Sequence, residues 1–300
     1  MAPDDGDHGL DGTLGQLLSR RKSHNKFRNL SLTPPGMVDF SSNGYLSLSS
    51  NIDIQRTYLS RLQHEVDVAG RSGIGSGSQG RGDPTPSRLL GSEGSRLLDG
   101  NTSFAEGLEK KIAAFHDAPS ALLFVSAFDA NVGLLGCVPQ PDDVILFDEL
   151  VHASVHDGMR LSRAGRKLPF THASVTEKSA IEKPGGLGHV LDRLVQDDAD
   201  DAGKRVKDGR CNVFVCVESL YSMDGDVLRL ADVVECIDRH LPRRNGYIIL
   251  DEAHSNGIFG DGGRGLACEL GLQDRVWARV LGLGKAMGCA GGTFTCHVSP

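Results

Sequence analysis

Residues 279–292 read RVLGLGKAMGCAGG, and Lys285 stands there among five glycines, just after an apolar run. Three chemistries would place a lysine so: a phosphate loop, a dinucleotide turn, or covalent work by an amine. A phosphate loop needs glycine five residues before Gly284 and Ser or Thr after the lysine; the chain has Arg279 and Ala286. A dinucleotide turn needs a third glycine where Met287 stands. A solvated surface lysine has no need of apolar and glycine neighbours. A lysine desolvated in a pocket has lowered proton affinity and becomes an imine-forming nucleophile, and small neighbours let a flat ligand approach it.

Other polar clusters stand where apolar runs end. They are Ser126-Ala127-Phe128, Asp148 with His152, Glu218 with Tyr221 and Ser222, and Asp251 with Glu252 and His254. One polar residue at a strand end is ordinarily a helix cap; these four and Lys285, five clusters that could converge on one rim, invite a further reading. Asp251 follows YIIL directly, so it is either a capping carboxylate or a buried anion in need of a positive partner. A protonated pyridine nitrogen is such a partner in cofactor sites. His152 alone reads as a hydrogen-bonded core histidine, though a flat imidazole can also stack on an aromatic ring.

The elements that would position these residues alternate. TLGQLLSRRKSHNKFR (13–28) reads as a basic amphipathic helix, and MVDFSSNGYLSLS (37–49) as a short strand and turn. Residues 70–100, rich in Gly, Ser and Arg, read as loop. Gly75, Gly77 and Gly80 match G-x-G-x-x-G there, but without a strand before or a helix after. FAEGLEKKIAAFH (104–116) is helical. ALLFVSAFDANVGLLGCV gives strand, turn and helix; DDVILFDEL a strand; VHASVHDGMRLSRA a helix; and residues 197–207 a charged surface stretch. NVFVCVESL, GYIILDEAH and RVLGLGKA are further strands, with the helix LADVVECIDRHL between the first two. Strands alternating with helices predict an α/β chain with a mostly parallel sheet, whose ligands gather at the carboxyl ends of the strands.

Composition narrows the function classes. The chain has 300 residues, 39% of them hydrophobic, with a net charge of -7, which argues against nucleic acid as a partner. Seven cysteines without a C-x-x-C pair suit buried thiols in a reducing compartment. No apolar run approaches a membrane span, and the acidic start MAPDDGDHGLDG is neither a secretory nor a transit leader. The expected address is cytoplasmic; a peroxisomal one would be read at an extreme C-terminus. No metal site is expected.

The motifs FSSNGYLSLS (40–49), LGSEGSRLLDGN (90–101), ALLFVSAFDAN (121–131), ELVHAS (149–154), ESLYSMDGD (218–226), LDEAHSNGIFGDGGRG (250–265) and GKAMGCAGG (284–292) together resemble the α-oxoamine synthases. These are pyridoxal 5'-phosphate enzymes of the class I/II aminotransferase superfamily, and the similarity runs from about Leu14 to the end of the chain. It implies the large domain of a fold-type-I transferase, with a mostly parallel seven-stranded sheet and helices on both faces. It divides the chain into an N-terminal segment, 1–50, and a cofactor domain, 51–300.

By this resemblance Lys285 binds the cofactor covalently and moves protons at the substrate α-carbon. Asp251 partners the pyridine nitrogen, His254 the ring hydroxyl, and His152 stacks on the ring. Ser222 is a further cofactor contact, and the turn at Ala127 and Phe128 approaches the phosphate. Asn43 lies near substrate, and Arg28, Arg20 or Arg21 would meet a carboxylate or phosphate, unless that helix is simply a solvated basic face. The implied reaction is a decarboxylative condensation of an amino acid, L-alanine foremost and glycine or serine as variants, with an acyl-CoA in a homodimer. An aminotransferase and a non-catalytic partner subunit are the rival readings.

Three departures from the family pattern stand out. Gly282 replaces the Thr or Ser usual three residues before the lysine, which removes a hydrogen bond to the cofactor phosphate of about 1.5–3 kcal/mol. Residues 78–90 add a segment near the expected acyl entrance. Pro300 falls where a C-terminal small domain is expected to follow, with its substrate-binding arginine.

Overall fold

The computed structural model describes residues 9–30, 32, 34–72, 91–172, 184–196 and 201–297. The chain divides into two compact units, Met1–Ser42 and Asn43–Pro300. In the first, helix α1 (Leu10–Ser23) carries Leu10, Leu14, Leu17 and Leu18 at helical spacing, all exposed, with Arg20, Arg21 and Lys22 in its last turn, where they complement the helix dipole. It stops short of the expected residue 28, since Asn25 turns left-handed at φ 54°.

No strand forms in residues 37–49, contrary to the sequence reading. Asp39 Oδ1 accepts the N–H groups of both Ser41 and Ser42, a local turn that competes with any ladder. Tyr45 and Ser47 adopt positive φ before a single 3-10 turn, Leu48–Ser50.

The second unit opens with α2 (Ile52–Ser72), a helix absent from the sequence reading, started by Asn51 Oδ1 accepting from the N–H groups of Asp53 and Ile54. The extra segment, 78–90, lies outside the described residues, as do the glycines of the rejected dinucleotide motif. Next come α3 (Ser103–Phe115), β1 (Ser120–Phe124), α4 (Ala127–Cys137), β2 (Val144–Asp148), α5 (Ala153–Leu161), β3 (Arg166–Phe170) and α6 (Leu187–Gln196). The remainder is α7 (Asp201–Lys207), β4 (Val213–Glu218), α8 (Leu230–His240), β5 (Gly246–Asp251), α9 (Leu266–Glu269), β6 (Ala278–Gly282) and β7 (Gly292–Cys296). Part of the stretch read as charged surface is thus helix α7, which buries Val206.

The strands form one seven-stranded sheet in the order β1-β7-β6-β5-β4-β2-β3. All neighbours are parallel except β7, which runs antiparallel to both β1 and β6. Alternate residues of the central strands feed two cores. Ile145, Phe214, Cys216, Ile249 and Val280 pack with α4 and α5 through Ala130, Leu134, Leu135, Val155 and Met159. Leu146, Val215, Val217, Ile248 and Leu250 pack with α6, α7 and α8 through Leu187, Leu191, Val206, Leu230 and Val233. Strands covered on both faces read as continuous apolar runs, as these do. Because β1 points the same way as β6, the C-terminal ends of β1, β2, β4, β5 and β6 lie on one rim.

One buried ion pair ties this rim from beneath. Glu252 is fully buried and accepts from Arg279 Nε, from the Ala267 N–H and from the Ser255 hydroxyl. Arg279 in turn donates to the carbonyls of His116 and Arg264. Desolvation and the nearby guanidinium push the proton affinity of His116 down to about 4. Arg279→Ala would strand the Glu252 charge, and we expect a loss of about 3–5 kcal/mol in urea unfolding. A loss under about 1 kcal/mol would show that the pair is not structural.

Candidate functional site at the carboxyl rim of the sheet

Asp251 ends β5 opposite Glu218 of β4 and Val280 of β6. Its side chain is 7% exposed and held at both oxygens: Oδ1 accepts from the Ala253 N–H at 2.9 Å, and Oδ2 from Asn131 Nδ2 at 2.7 Å. Asp251 therefore caps the following turn, as the simpler reading expects, and is also a fixed buried anion. Asn131 Nδ2 lies 3.0 Å from Ser154 Oγ, and that hydroxyl lies 2.7 Å from Nδ1 of His152. The Ser154 N–H also donates to Nδ1, so this nitrogen is an acceptor and the proton of a neutral His152 ring sits on Nε2. A chain of bonds thus runs from Asp251 through α4 to the start of α5, with Phe128 edge-on to the His152 ring at 6.0 Å.

Lys285 lies half-buried in the loop between β6 and β7. Burial lowers its pKa from the usual lysine range, while the charge of Asp251, and that of Glu218 when ionised, act in the opposite direction. Glu218 is pushed up to about 8, first by burial and then by Asp251, so it carries a proton at neutral pH. His254 is brought down to about 4 by burial and then by the Lys285 charge, so its ring is neutral. Its Nδ1 is hydrogen-bonded to Tyr45 Oη at 2.7 Å, which leaves Nε2 for a ligand. Asp251, Lys285 and His152 thus stand close enough to act on the proton affinity of His254, and Asp251 on those of Lys285 and Glu218.

The remaining expected residues divide. Ala127 and Phe128 open α4 on the same rim. The Asp129 N–H goes to Ser126 Oγ and the Ala130 N–H to the Ser126 carbonyl, so the N–H groups of Ala127 and Phe128 are left at the open end of the helix. Gly292 of β7 keeps that end in place, for a Cβ on it would stand 2.2 Å from the Ala127 nitrogen. Gly282 also has a packing reason, since a Cβ there would meet the Ala253 Cβ at 3.0 Å. Ser222 is exposed in the turn after β4. Asn43 is exposed, with its Oδ1 3.5 Å from Tyr45 Oη. Arg28 belongs to the first unit, where it too is exposed.

Two residues at the centre of the site, Asn131 and Tyr45, carry no role in the sequence reading. Each lay inside a quoted motif; the missing signal was that a polar side chain within the apolar helix α4 must have a buried partner. Among the described residues no group of His, Cys, Asp and Glu could hold a metal ion, and no helix is long and apolar enough to cross a membrane.

An α/β sheet with a desolvated lysine and a braced carboxylate on its carboxyl rim defines a class, and the comparisons agree with it. Residues 35–299 match the model of the family "Aminotransferase class I and II", and the chain belongs to that family. It is 44% identical over 287 residues to the 8-amino-7-oxononanoate synthase of Emericella nidulans, covering 96% of this chain and 62% of the relative. It is 35% identical over 254 residues to an aminoacyl transferase of Byssochlamys spectabilis, covering 85% of this chain and 47% of that protein. A serine palmitoyltransferase variant from S. paucimobilis, solved with a PLP–myriocin aldimine bound, superposes with a TM-score of 0.66 at 20% identity, over 97% of this chain and 67% of that one. The chain thus spans less than two thirds of the curated relatives' length.

The Asp251–Asn131 bond has a directional test. Asn131→Ala leaves Asp251 Oδ2 short of a donor and should cost about 1–3 kcal/mol in urea unfolding. Asn131→Asp should cost more at neutral pH, because two carboxylates then share the site. The added carboxyl titrates above its unfolded value, so this variant should regain stability as pH falls through that raised pKa. A pH-independent deficit in Asn131→Asp would show that the two side chains do not meet.

Proposed function

We propose that the rim holds pyridoxal 5'-phosphate and that the chain condenses an amino acid with an acyl-CoA, as a cytoplasmic enzyme of the 8-amino-7-oxononanoate synthase kind in biotin biosynthesis. The observation that carries this reading is the pairing of a desolvated Lys285 with an Asp251 braced at both oxygens. The donor set fits the cofactor. Asp251 would face the ring nitrogen with a fixed negative charge, and Nε2 of His254 would meet the ring hydroxyl. The His152 ring would lie against the cofactor plane, the open N–H groups of Ala127 and Phe128 would take the phosphate, and Ser222 would add a contact from the turn after β4.

The bound cofactor supplies an electron sink for a carbanion at the amino acid's α-carbon. The chain's own residues do the rest. Lys285, its proton affinity lowered by burial, supplies an amine able to act as nucleophile and to carry the α-proton. Asn131 fixes the Asp251 carboxylate, and Tyr45 fixes the His254 ring. Asn43 beside Tyr45 is the proposed substrate contact, and Arg28 a proposed partner for a carboxylate or phosphate. Overall, the amino acid and the acyl-CoA give an α-oxoamine, carbon dioxide and free CoA. L-Alanine is the proposed amino acid, as the resemblance to the α-oxoamine synthases implies, and two copies of the chain form the proposed assembly. A partner subunit without activity is the second reading, favoured by the lack of a hydroxyl at Gly282.

Absorption spectra of the purified chain with pyridoxal phosphate, beside Lys285→Ala, distinguish the two. A visible band held by the protein and lost in the variant supports the cofactor site, and CoA release from acyl-CoA with L-alanine, tested against glycine and serine, then identifies the substrate. A soluble chain that shows no such band would overturn the catalytic reading.

A further inference from the structure

A second polar cluster lies beside the site. His172 stands two residues past the end of β3, and its Nδ1 lies 3.0 and 2.9 Å from the two carboxylate oxygens of Asp148 at the end of β2. Its Nε2 lies 3.1 Å from Oδ2 of Asp226. A carboxylate only accepts, so a ring that bonds carboxylates at both nitrogens must donate from both, which an imidazolium alone can do. The ring also stands edge-on to Tyr221, with centroids 4.5 Å apart.

Asp226 and Tyr221 close one turn. The Tyr221 N–H donates to the Asp226 carbonyl, the Gly225 N–H to the Tyr221 carbonyl and the Leu228 N–H to the Ser219 carbonyl, while Leu220 pairs with Val227. Ser222 sits within this turn. Asp148 is fully buried, accepts also from the Leu150 N–H and is hydrogen-bonded by the Tyr221 hydroxyl. Two carboxylates from separate elements therefore approach one ring. Without a proton between them they would repel, and the buried one would lack its cation.

We infer that His172 is a positioning residue: as an imidazolium it clasps the Tyr221–Asp226 turn to the ends of β2 and β3, and so sets the grip of the Ser222 side of the pocket on its ligand. The inference about grip rests on the cofactor reading above; the clasp itself does not. The ionisable groups that face the ring are Asp148 and Tyr221, the Asp226 carboxylate, and Glu149, whose Oε1 accepts the His172 N–H. Burial lowers the proton affinity of His172, and the carboxylates of Asp148 and Asp226 more than offset this, for a net rise above the ordinary histidine value. A raised folded-state pKa means the clasp is complete below the unfolded value and is lost as pH rises through the folded one. The turn should therefore loosen on the alkaline side.

Hydrogen exchange of the cofactor-free full chain tests this, after correction for the intrinsic pH dependence of exchange. The amides of Tyr221, Gly225 and Leu228 should be protected at neutral pH and lose protection as pH rises. In His172→Gln, and separately in Asp226→Asn, they should exchange about tenfold or more faster at neutral pH, the loss expected for a hydrogen bond to a charged group, with a flattened pH profile. Asp226→Asn keeps the buried His172–Asp148 contact, so it serves if His172→Gln does not fold. Pyridoxal phosphate should bind more weakly in both variants, with the wild-type dissociation constant rising at alkaline pH. Wild-type protection in both variants, or protection that does not depend on pH, would overturn the clasp. If the wild-type chain binds no cofactor while the exchange behaves as stated, the clasp stands and the cofactor reading fails.

Discussion

Two consecutive carboxylates leave the end of β5 on opposite faces of the sheet, and the site depends on both being satisfied there. Glu252 is locked by Arg279, the Ala267 N–H and the Ser255 hydroxyl. Asp251 is locked by Asn131 and the Ala253 N–H. A one-residue slip of β5 would turn both side chains to the other face, so the two carboxylates could not both keep their partners. The register of the central strands and the aim of Asp251 are thus one constraint. Burial sets the states of the lysine, His254 and Glu218, and the anion that this constraint fixes adds to the rise of Glu218 while opposing the fall of Lys285 and His254.

Much of this was legible in the chain itself. β2, β4 and β5 are apolar runs because helices cover both their faces, and the polar residue that ends each run falls on the rim by the logic of a parallel sheet. β3 and β7 were not legible. RKLPF carries charges and a proline, which an edge strand tolerates. GTFTC carries two buried threonines, and the hydroxyl of Thr293 is absorbed by the Leu122 carbonyl across the ladder. The strand expected in residues 37–49 fails because Asp39 and the positive-φ residues Tyr45 and Ser47 make local turns instead.

Within the site, legibility followed chemistry. Lysine, aspartate and histidine at strand ends advertise themselves. Asn131, Tyr45 and His172 do not, because each acts by holding another side chain, and the partner lies far along the chain. Asn131 and Asp251, like Tyr45 and His254, meet only once the fold has brought α4 and the turn around Tyr45 to the end of β5 in the second unit. Gly282 reads as a lost hydroxyl in the sequence and as a close approach to Ala253 in the fold.

The place of β7 has a consequence in time. Among the described residues β1 precedes every other strand, yet its neighbour in the sheet is β7, which follows them all. A growing chain can pair β2 with β3 and β4 with β5 as they emerge, but β1 must wait until residues 292–296 arrive to wedge between it and β6. Closing such a long loop is slow relative to local pairing. The strands that end in Asp148, Glu218 and Asp251 can therefore pair early, while β1 takes its place in the sheet last. A newly made chain would thus have its acidic strand ends side by side before its first strand had a place among them.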